Sequence, residues 1–243
     1  MSSSENGGEG GGDPSSSAPD NTNATTNEAF WTQDSAFDTA EDVTDVELLK
    51  RAWRNEKAAP EILPFRRNLV ERAREQIQLM EDTIAASAES GTDDLMLSLY
   101  RMDLDRTLFL LRSYLRTRLL KIEKYVLHVL KSEELWNKLS EAEQKFAQKC
   151  TDALQKHLEQ SVLSRLPYGY QSMLRQAISS EEDDMVPEPK LDTFVFCKIR
   201  DAIGSVQMDE KGEDIVNLME DDFFILRYKP IQRLVETGQI DLV

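Results

Sequence analysis

The sequence has little of what catalytic and metal sites are made from. Its 243 residues include two histidines, His128 and His157, and two cysteines, Cys150 and Cys197. The histidines fit no H-E-x-x-H or other metal-ligand spacing, and the cysteines form no C-x-x-C pair. We therefore interpret the histidines as ordinary packed or surface residues and the cysteines as small core residues. We expect a reducing intracellular compartment and no disulfide framework.

Several sequence motifs that mark particular classes of function are also missing. The sequence contains no phosphate-binding P-loop, no G-x-G-x-x-G turn and no G-x-S-x-G nucleophile elbow. No apolar run approaches the roughly 20 residues that cross a bilayer. The acidic run EEDD at 181–184 lacks the ligand alternation of a cation site. We therefore predict no catalytic residues, no cofactor, no metal and no membrane contact, and an enzyme with unrecognised site geometry is the least favoured class.

Basic residues are scarce at the beginning of the chain. The formal net charge is -16, and no lysine or arginine precedes Lys50. Residues 1–40 are rich in Ser, Gly and Asn, so they cannot bury enough apolar surface to offset chain entropy, and we predict a disordered acidic tail. Phe30, Trp31 and Phe37 lie among acids in this region. They are either more tail or a short docking peptide that orders on a partner.

The rest of the chain predicts a mainly α fold, with a helical bundle domain at 41–178, an acidic proline-containing linker at 179–190 and a small β-rich domain at 191–243. Helical periodicity covers 42–57, 65–89 and 92–130, and a fourth helix begins with the capping box of Ser140 and Glu143. After the linker, LDTFVFCKIR, DDFFILRYKP and QIDLV indicate strands, and IQRLVETG indicates a short helix that ends at Gly238. About fifty residues are near the lower size limit for independent folding, so we expect the β-rich domain to rest on another surface.

The third predicted helix carries most of the functional argument. At about 100° per residue, a set of apolar residues falls within about 80° of Leu111: Leu104, Leu108, Leu115, Leu119, Ile122 and Val126. Basic residues flank this face on both sides, and one arginine enters it. The flanking residues are Arg112 and Arg116 on one side and Arg106, Lys121 and Lys124 on the other; the entering residue is Arg118.

This distribution favours protein packing over nucleic-acid contact. A helix that binds DNA gathers its basic residues on one face, whereas flanking arginines cover an apolar face with their stems and pair with acids. Arg118 needs an acidic partner because an unpaired buried charge is costly. We expect part of the face to be the chain's own core and part to contact another protein. A helical nucleic-acid-binding protein that uses the basic 106–124 helix is the alternative, which the sequence pI of about 4.6 disfavours.

Four blocks resemble a known family when they are taken in order. They are AWRNEKAAPEIL at 52–63, YRMDLDRTLFLLRSYLRTRLLKIEKY at 100–125, LDTFVFCKIRD at 191–201 and LRYKPIQRLVETGQIDLV at 226–243. The chain is similar, over about 45–243, to the eukaryotic GINS complex subunit 4 family.

The resemblance implies a nuclear, non-catalytic subunit of a heterotetramer with three other GINS subunits. In that family the tetramer joins the MCM ring and its cell-division-cycle cofactor in the replicative helicase, for initiation and elongation of DNA replication. The leading-strand polymerase and a replisome hub protein are further partners that it implies. DNA contact is expected to be indirect or weak.

The resemblance also assigns a set of residues to the packed core and the subunit contacts: Trp53, Arg106, Tyr114, Leu115, Arg118, Leu119, Ile122, Phe194, Phe196, Arg227 and Tyr228. Among these, we expect Leu115, Leu119 and Phe196 to be intramolecular core. For Tyr114 and Arg118 the intramolecular and intermolecular interpretations stay open.

Overall fold

The computed structural model describes residues 43–91, 93–174, 186–208 and 215–243. The predicted acidic tail, with Phe30, Trp31 and Phe37, lies outside the described residues, as does most of the predicted linker. The described chain begins with a helical bundle and ends with a small antiparallel sheet module, so the predicted fold class is confirmed.

The helices begin and end where local chemistry favours it. Helix α1 (Asp45–Ala58) begins after Thr44, whose hydroxyl accepts the Glu47 N–H at 3.3 Å, and ends just before Pro60. Helix α2 (Arg67–Glu89) and helix α3 (Asp94–Lys131) are separated by Gly91, which has a φ of 71°. Helix α3 has 38 residues and a kink at Tyr125, so it reaches about 57 Å at 1.5 Å per residue.

Two short elements follow α3, and a longer helix completes the bundle. Helix α4 (Glu133–Asn137) was not predicted; it is one turn long and is capped by Ser132. Helix α5 (Glu141–Ser161) begins with the predicted capping box, in which Ser140 and Glu143 each bond the other's backbone N–H, and this prediction is confirmed. A 3₁₀ turn at Leu163–Arg165 ends the bundle.

The sheet module contains the three predicted strands and the predicted helix. Strands β1 (Phe194–Ile199), β4 (Phe223–Arg227) and β5 (Ile240–Leu242) form an antiparallel sheet in the order β4-β1-β5. Helix α6 (Tyr228–Thr237) directly follows β4 and ends at Gly238 with a φ of 83°. Strands β2 (Gly204–Gln207) and β3 (Ile215–Leu218) pair with each other and were not predicted.

Side chains alternate between the two faces of β1, and one face is buried. Val195, Cys197 and Ile199 are buried, and Phe194 and Phe196 point to the opposite face and are exposed. The buried face packs against α6, through residues such as Ile231 and Val235. The aliphatic side of the strand therefore forms the core, and its aromatic side meets solvent.

The sheet module does not bury its apolar surface alone. Its core includes Ala59 and Leu63, which belong to the segment between α1 and α2, and Ala58 packs against the same cluster. Two further clusters lie within the bundle, one around Leu111 and Tyr114 and the other around Ile122 and Val126. The expectation that the small β-rich part rests on another surface is confirmed, because the bundle supplies that surface.

Candidate functional site

A buried arginine lies at the centre of the helical bundle. Arg118 on α3 is 0% exposed, and all five of its N–H groups are used. It donates twice to the Glu143 carboxylate, at 2.7 and 3.2 Å, and once to Glu56, at 2.9 Å. Its other bonds go to the main-chain carbonyls of Leu63, at 2.6 Å, and Lys138, at 3.2 Å. One guanidinium therefore joins α1, α3 and α5 to the segment between α1 and α2 and to the segment just before α5.

The charge of Arg118 is stabilised by this arrangement. Burial disfavours the charged form, but the hydrogen bonds that Arg118 donates to Glu143 and the charge of Glu56 outweigh it and raise the pKa of Arg118 above its ordinary value. The guanidinium carbon also lies 5.3 Å from the centre of the Phe65 ring and 5.8 Å from that of Tyr114. The requirement for an acidic partner is met within this chain.

Lys121 extends the same network by one helical turn. Its ammonium donates to the Glu56 carboxylate at 3.0 Å and to the Glu61 carbonyl at 2.6 Å, and it also bonds the Glu56 carbonyl. Burial lowers the pKa of Lys121, and the charge of Glu56 opposes this effect. Two of the basic residues in the 106–124 helix are therefore used inside the chain and are not available to bind nucleic acid.

A second polar network fixes the sheet module to the bundle. The Tyr228 hydroxyl at the start of α6 donates to the Glu61 carboxylate at 2.8 Å, and both groups are buried. Burial, followed by the charge of Glu61, raises the pKa of Tyr228 well above its ordinary value. Lys138 bonds Glu236 of α6 at 2.7 Å. These contacts hold α6 against the segments before α2 and after α4.

The last strand is held by a residue of the first helix. The side-chain oxygen of Asn55 accepts the backbone N–H of Leu242 at 2.7 Å, and its amide donates to Asp241 at 3.2 Å. Arg51, one turn earlier on α1, pairs with Asp241 at 3.0 Å. Because α1 recognises both the side chain and the backbone of β5, the sheet has a defined orientation on the bundle.

An apolar stripe runs along the outer side of α3. Leu95, Met102 and Phe109 are spaced by seven residues, and Leu120 falls within about 40° of them at 100° per residue. Each side chain is at least 60% exposed. The stripe lies about 160–180° from Leu111, so the sequence analysis, which centred the helix on Leu111, missed it. The seven-residue spacing was the signal that could have found it.

The outer face of the sheet is a second apolar surface. Phe196 pairs with Ile225 across β1 and β4, and Phe194 and Phe223 flank this pair on the same face. All four side chains are exposed. Cations border the surface: Arg227 lies 5.2 Å from the centre of the Phe194 ring, and a lysine lies 5.7 Å from that of Phe223. We call these four residues the aromatic sheet face.

The predicted site residues do not form one cluster. Tyr114, Arg118, Ile122 and Tyr228 are buried within the chain, and Leu115 and Trp53 are partly buried. Arg106, Phe194 and Arg227 are exposed, and so is Leu119, at 36%; the expectation that Leu119 belongs to the intramolecular core was therefore wrong.

The expectation that Phe196 belongs to the intramolecular core was wrong, because 63% of its surface is exposed. The alternation in β1 places it on the outer face, away from α6. An intermolecular role for any of these residues stays a prediction.

Other kinds of site find little support in the described part of the chain. No group of three or more His, Cys, Asp or Glu side chains there is placed to hold a metal ion. None of the helices in 43–91, 93–174, 186–208 and 215–243 is long and apolar enough to cross a bilayer. Cys197 is buried and Cys150 partly buried, and both are free thiols. His128 lies 3.3 Å from Glu188 at the surface.

The fold has two parts, and a protein-family model matches each of them. A helical bundle carries a small antiparallel sheet module that is fixed to it by buried polar contacts, and both parts present apolar surface to solvent. A family model described as "GINS complex protein helical bundle domain" matches residues 65–162. A second, described as "DNA replication complex GINS protein SLD5 C-terminus", matches residues 189–243.

Relatives from distant organisms agree with the family models, and each of the following is a DNA replication complex GINS protein SLD5. The Arabidopsis thaliana protein is 54% identical over 209 residues, which cover 85% of this chain and 94% of the relative. The Homo sapiens protein is 33% identical over 208 residues, 82% of this chain and 88% of the relative. The Schizosaccharomyces pombe protein is 30% identical over 206 residues, which cover 84% of this chain and 94% of the relative. The chain belongs to the GINS SLD5 family.

Proposed function

We propose that this chain is a non-catalytic structural subunit of the heterotetrameric GINS complex. Together with three sister subunits it would join the MCM ring and its cell-division-cycle cofactor in the replicative helicase, in the nucleus, during initiation and elongation of DNA replication. Membership of the GINS SLD5 family supports the assignment to DNA replication. The specific partners rest on the resemblance of the four sequence blocks.

The observation that carries the proposal is the amount of apolar surface that the chain leaves in solvent. The α3 stripe offers Leu95, Met102, Phe109 and Leu120, and the aromatic sheet face offers four more large side chains. Exposed apolar patches, such as the four neighbouring side chains of the aromatic sheet face, are typical of protein interaction sites. A stripe with seven-residue spacing suits a partner helix, and aromatic residues bordered by arginine are enriched in interfaces.

The buried polar groups support a structural role over a catalytic one. Arg118, Lys121 and Tyr228 have perturbed pKa values, which can mark catalytic sites. Each of these groups, however, is hydrogen-bonded to a carboxylate that lies between packed elements of the fold. Their shared effect is to fix three helices and the sheet module in one arrangement, which is what an assembly subunit requires.

The sister subunits provide the direct test. The chain is co-expressed with its three sisters from the same source, and the product is examined by size-exclusion chromatography with light scattering. We expect one species that contains each chain once. A second step tests whether immobilised tetramer retains the MCM ring and its cofactor. A chain that stays monomeric and retains none of its sisters would contradict the proposal.

Nucleic-acid binding is tested in the same preparation. The basic face that this alternative requires is reduced to exposed residues such as Arg106, Arg112 and Arg116, because Arg118 and Lys121 are used internally. We expect weak binding of duplex DNA that disappears as salt is raised towards physiological concentration. Tight binding, with log affinity falling linearly in log salt concentration, would favour the alternative.

A further inference from the structure

A groove lined by arginines lies between the bundle and the sheet module. It is bounded by α1, by the segment that leads into α2 and by the C-terminal end of α6, and its volume is about 600 Å³. Five arginines contribute to its wall: Arg51, Arg66, Arg67, Arg72 and Arg200. We propose that this groove binds an acidic peptide segment of a partner protein, one that carries an apolar side chain between its carboxylates.

The acids in the wall do not cancel this positive charge. Cations that lie outside the groove already pair with Glu56 and Glu236. The remaining wall carboxylate, Asp241, is shared by Arg51 at 3.0 Å and Arg200 at 3.8 Å. The wall therefore carries five guanidinium groups and three carboxylates, and at its inner end two guanidinium groups share one carboxylate.

The outer arginines are held loosely enough to accept a ligand. Arg66 donates to a main-chain carbonyl at 3.3 Å. Arg67 lies 3.8 Å from Glu141, and both side chains are more than half exposed. Arg72 pairs with Asp45 at 2.8 Å at the surface. Exposed ion pairs contribute about 0–1 kcal/mol, so these side chains can exchange their present partners for a carboxylate of a bound segment. The planar guanidinium matches a carboxylate with two parallel hydrogen bonds.

Shape and composition favour a peptide over nucleic acid. The groove volume lies within the range of about 300–1,000 Å³ that holds compact ligands. Apolar side chains form part of the wall: Leu48, Ala52, Phe65, Leu69 and Val235. A phosphodiester backbone has nothing to place against that apolar wall. An acidic peptide with one apolar residue uses both parts of the wall.

A labelled peptide tests the proposal with the full-length chain. The probe is the fluorescein-labelled octapeptide DEDLFDED, and its amide counterpart NQNLFNQN controls for charge. Binding is followed by fluorescence anisotropy at low salt. We expect the acidic peptide to bind and the amide peptide to show no measurable binding, because the guanidinium groups need charged acceptors.

Paired variants assign the binding to the groove. The double substitution Arg66→Gln with Arg67→Gln is expected to weaken binding of the acidic peptide by about tenfold or more, since two charge-assisted hydrogen bonds are lost. The matched pair Lys149→Gln with Lys156→Gln lies on exposed positions of α5 outside the groove and should stay within about twofold of wild type. Arg72→Gln tests the groove independently of the other two arginines.

Three results would overturn the inference: no binding of the acidic peptide by the wild-type chain, equal weakening in both paired variants, or tighter binding of a labelled oligothymidine through the same arginines. The last result would assign the groove to nucleic acid. Assembly with the sister subunits is measured separately by size-exclusion chromatography, so peptide binding can fail while the proposed function stands.

Discussion

Replacing Arg118 with methionine tests how much the buried Arg118 network contributes to the stability of the helical bundle. The change removes all five hydrogen bonds of the guanidinium but keeps much of its apolar volume. Glu56 retains Lys121 at 3.0 Å, so the uncompensated buried charge is that of Glu143. Removing one partner of a buried ion pair costs about 3–5 kcal/mol. This is a large fraction of the roughly 5–15 kcal/mol that stabilises a typical domain.

Equilibrium unfolding of the full chain in urea, followed by helical circular dichroism, measures this cost. With a slope near 2.5 kcal/mol per molar, a loss of about 4 kcal/mol lowers the midpoint by roughly 1.5 M. Adding Glu143→Gln to Arg118→Met should recover part of the loss, because it removes the orphan charge. Arg112→Met, at an exposed position on the same helix, should change stability by no more than about 0.5 kcal/mol. An Arg118→Met variant as stable as the Arg112 control would refute the reasoning.

Three further predictions concern the sheet module and its attachment. Tyr228→Phe removes the hydroxyl that donates to the buried Glu61 carboxylate and leaves that carboxylate with Lys138 at 3.8 Å, so thermal unfolding should show a loss of about 1.5–3 kcal/mol; no loss would mean that the 2.8 Å bond is not made in solution. Asn55→Ala removes the acceptor of the Leu242 N–H, so hydrogen exchange at that amide should accelerate by about tenfold or more, and an unchanged rate would refute the attachment of β5 to α1. Burial raises the pKa of Cys197 to about 11, so at pH 8 only about one in a thousand of these thiols is ionised; iodoacetamide should modify Cys150 first and reach Cys197 only on unfolding, and equal rates in the folded protein would contradict this.

The local elements were predictable because their signals are local. The capping box at Ser140, the breaks at Pro60 and Gly91 and the helix end at Gly238 all depend on residues within a few positions of each other. The β2–β3 hairpin was missed because each strand has only four residues and no strong apolar alternation. Helix α4 was missed because a single turn gives no periodicity to detect.

The candidate surfaces were harder to predict, because they depend on which face packs inside. The sequence shows that Phe194 and Phe196 share one side of β1, but it does not show which side α6 covers. Helix α3 has two apolar faces, and only the tertiary structure shows that the face centred on Leu111 is internal and that the stripe with Met102 is exposed. The need of Arg118 for an acid was predictable, whereas its partners, 62 and 25 residues away, were not.

The central claim is that the chain acts by presenting surface to other subunits, and the α3 stripe allows the most direct measurement. Met102→Asp with Leu120→Asp places two charges on the stripe, while Val162→Asp, also at an exposed apolar residue, lies off both surfaces. Affinity for the three sister subunits is measured with each purified chain after circular dichroism has verified folding. We predict that the stripe variant loses roughly thirtyfold or more in affinity, as expected for an interface hot spot, and that the Val162 variant stays near wild type. A stripe variant that assembles as tightly as the wild-type chain would contradict the account.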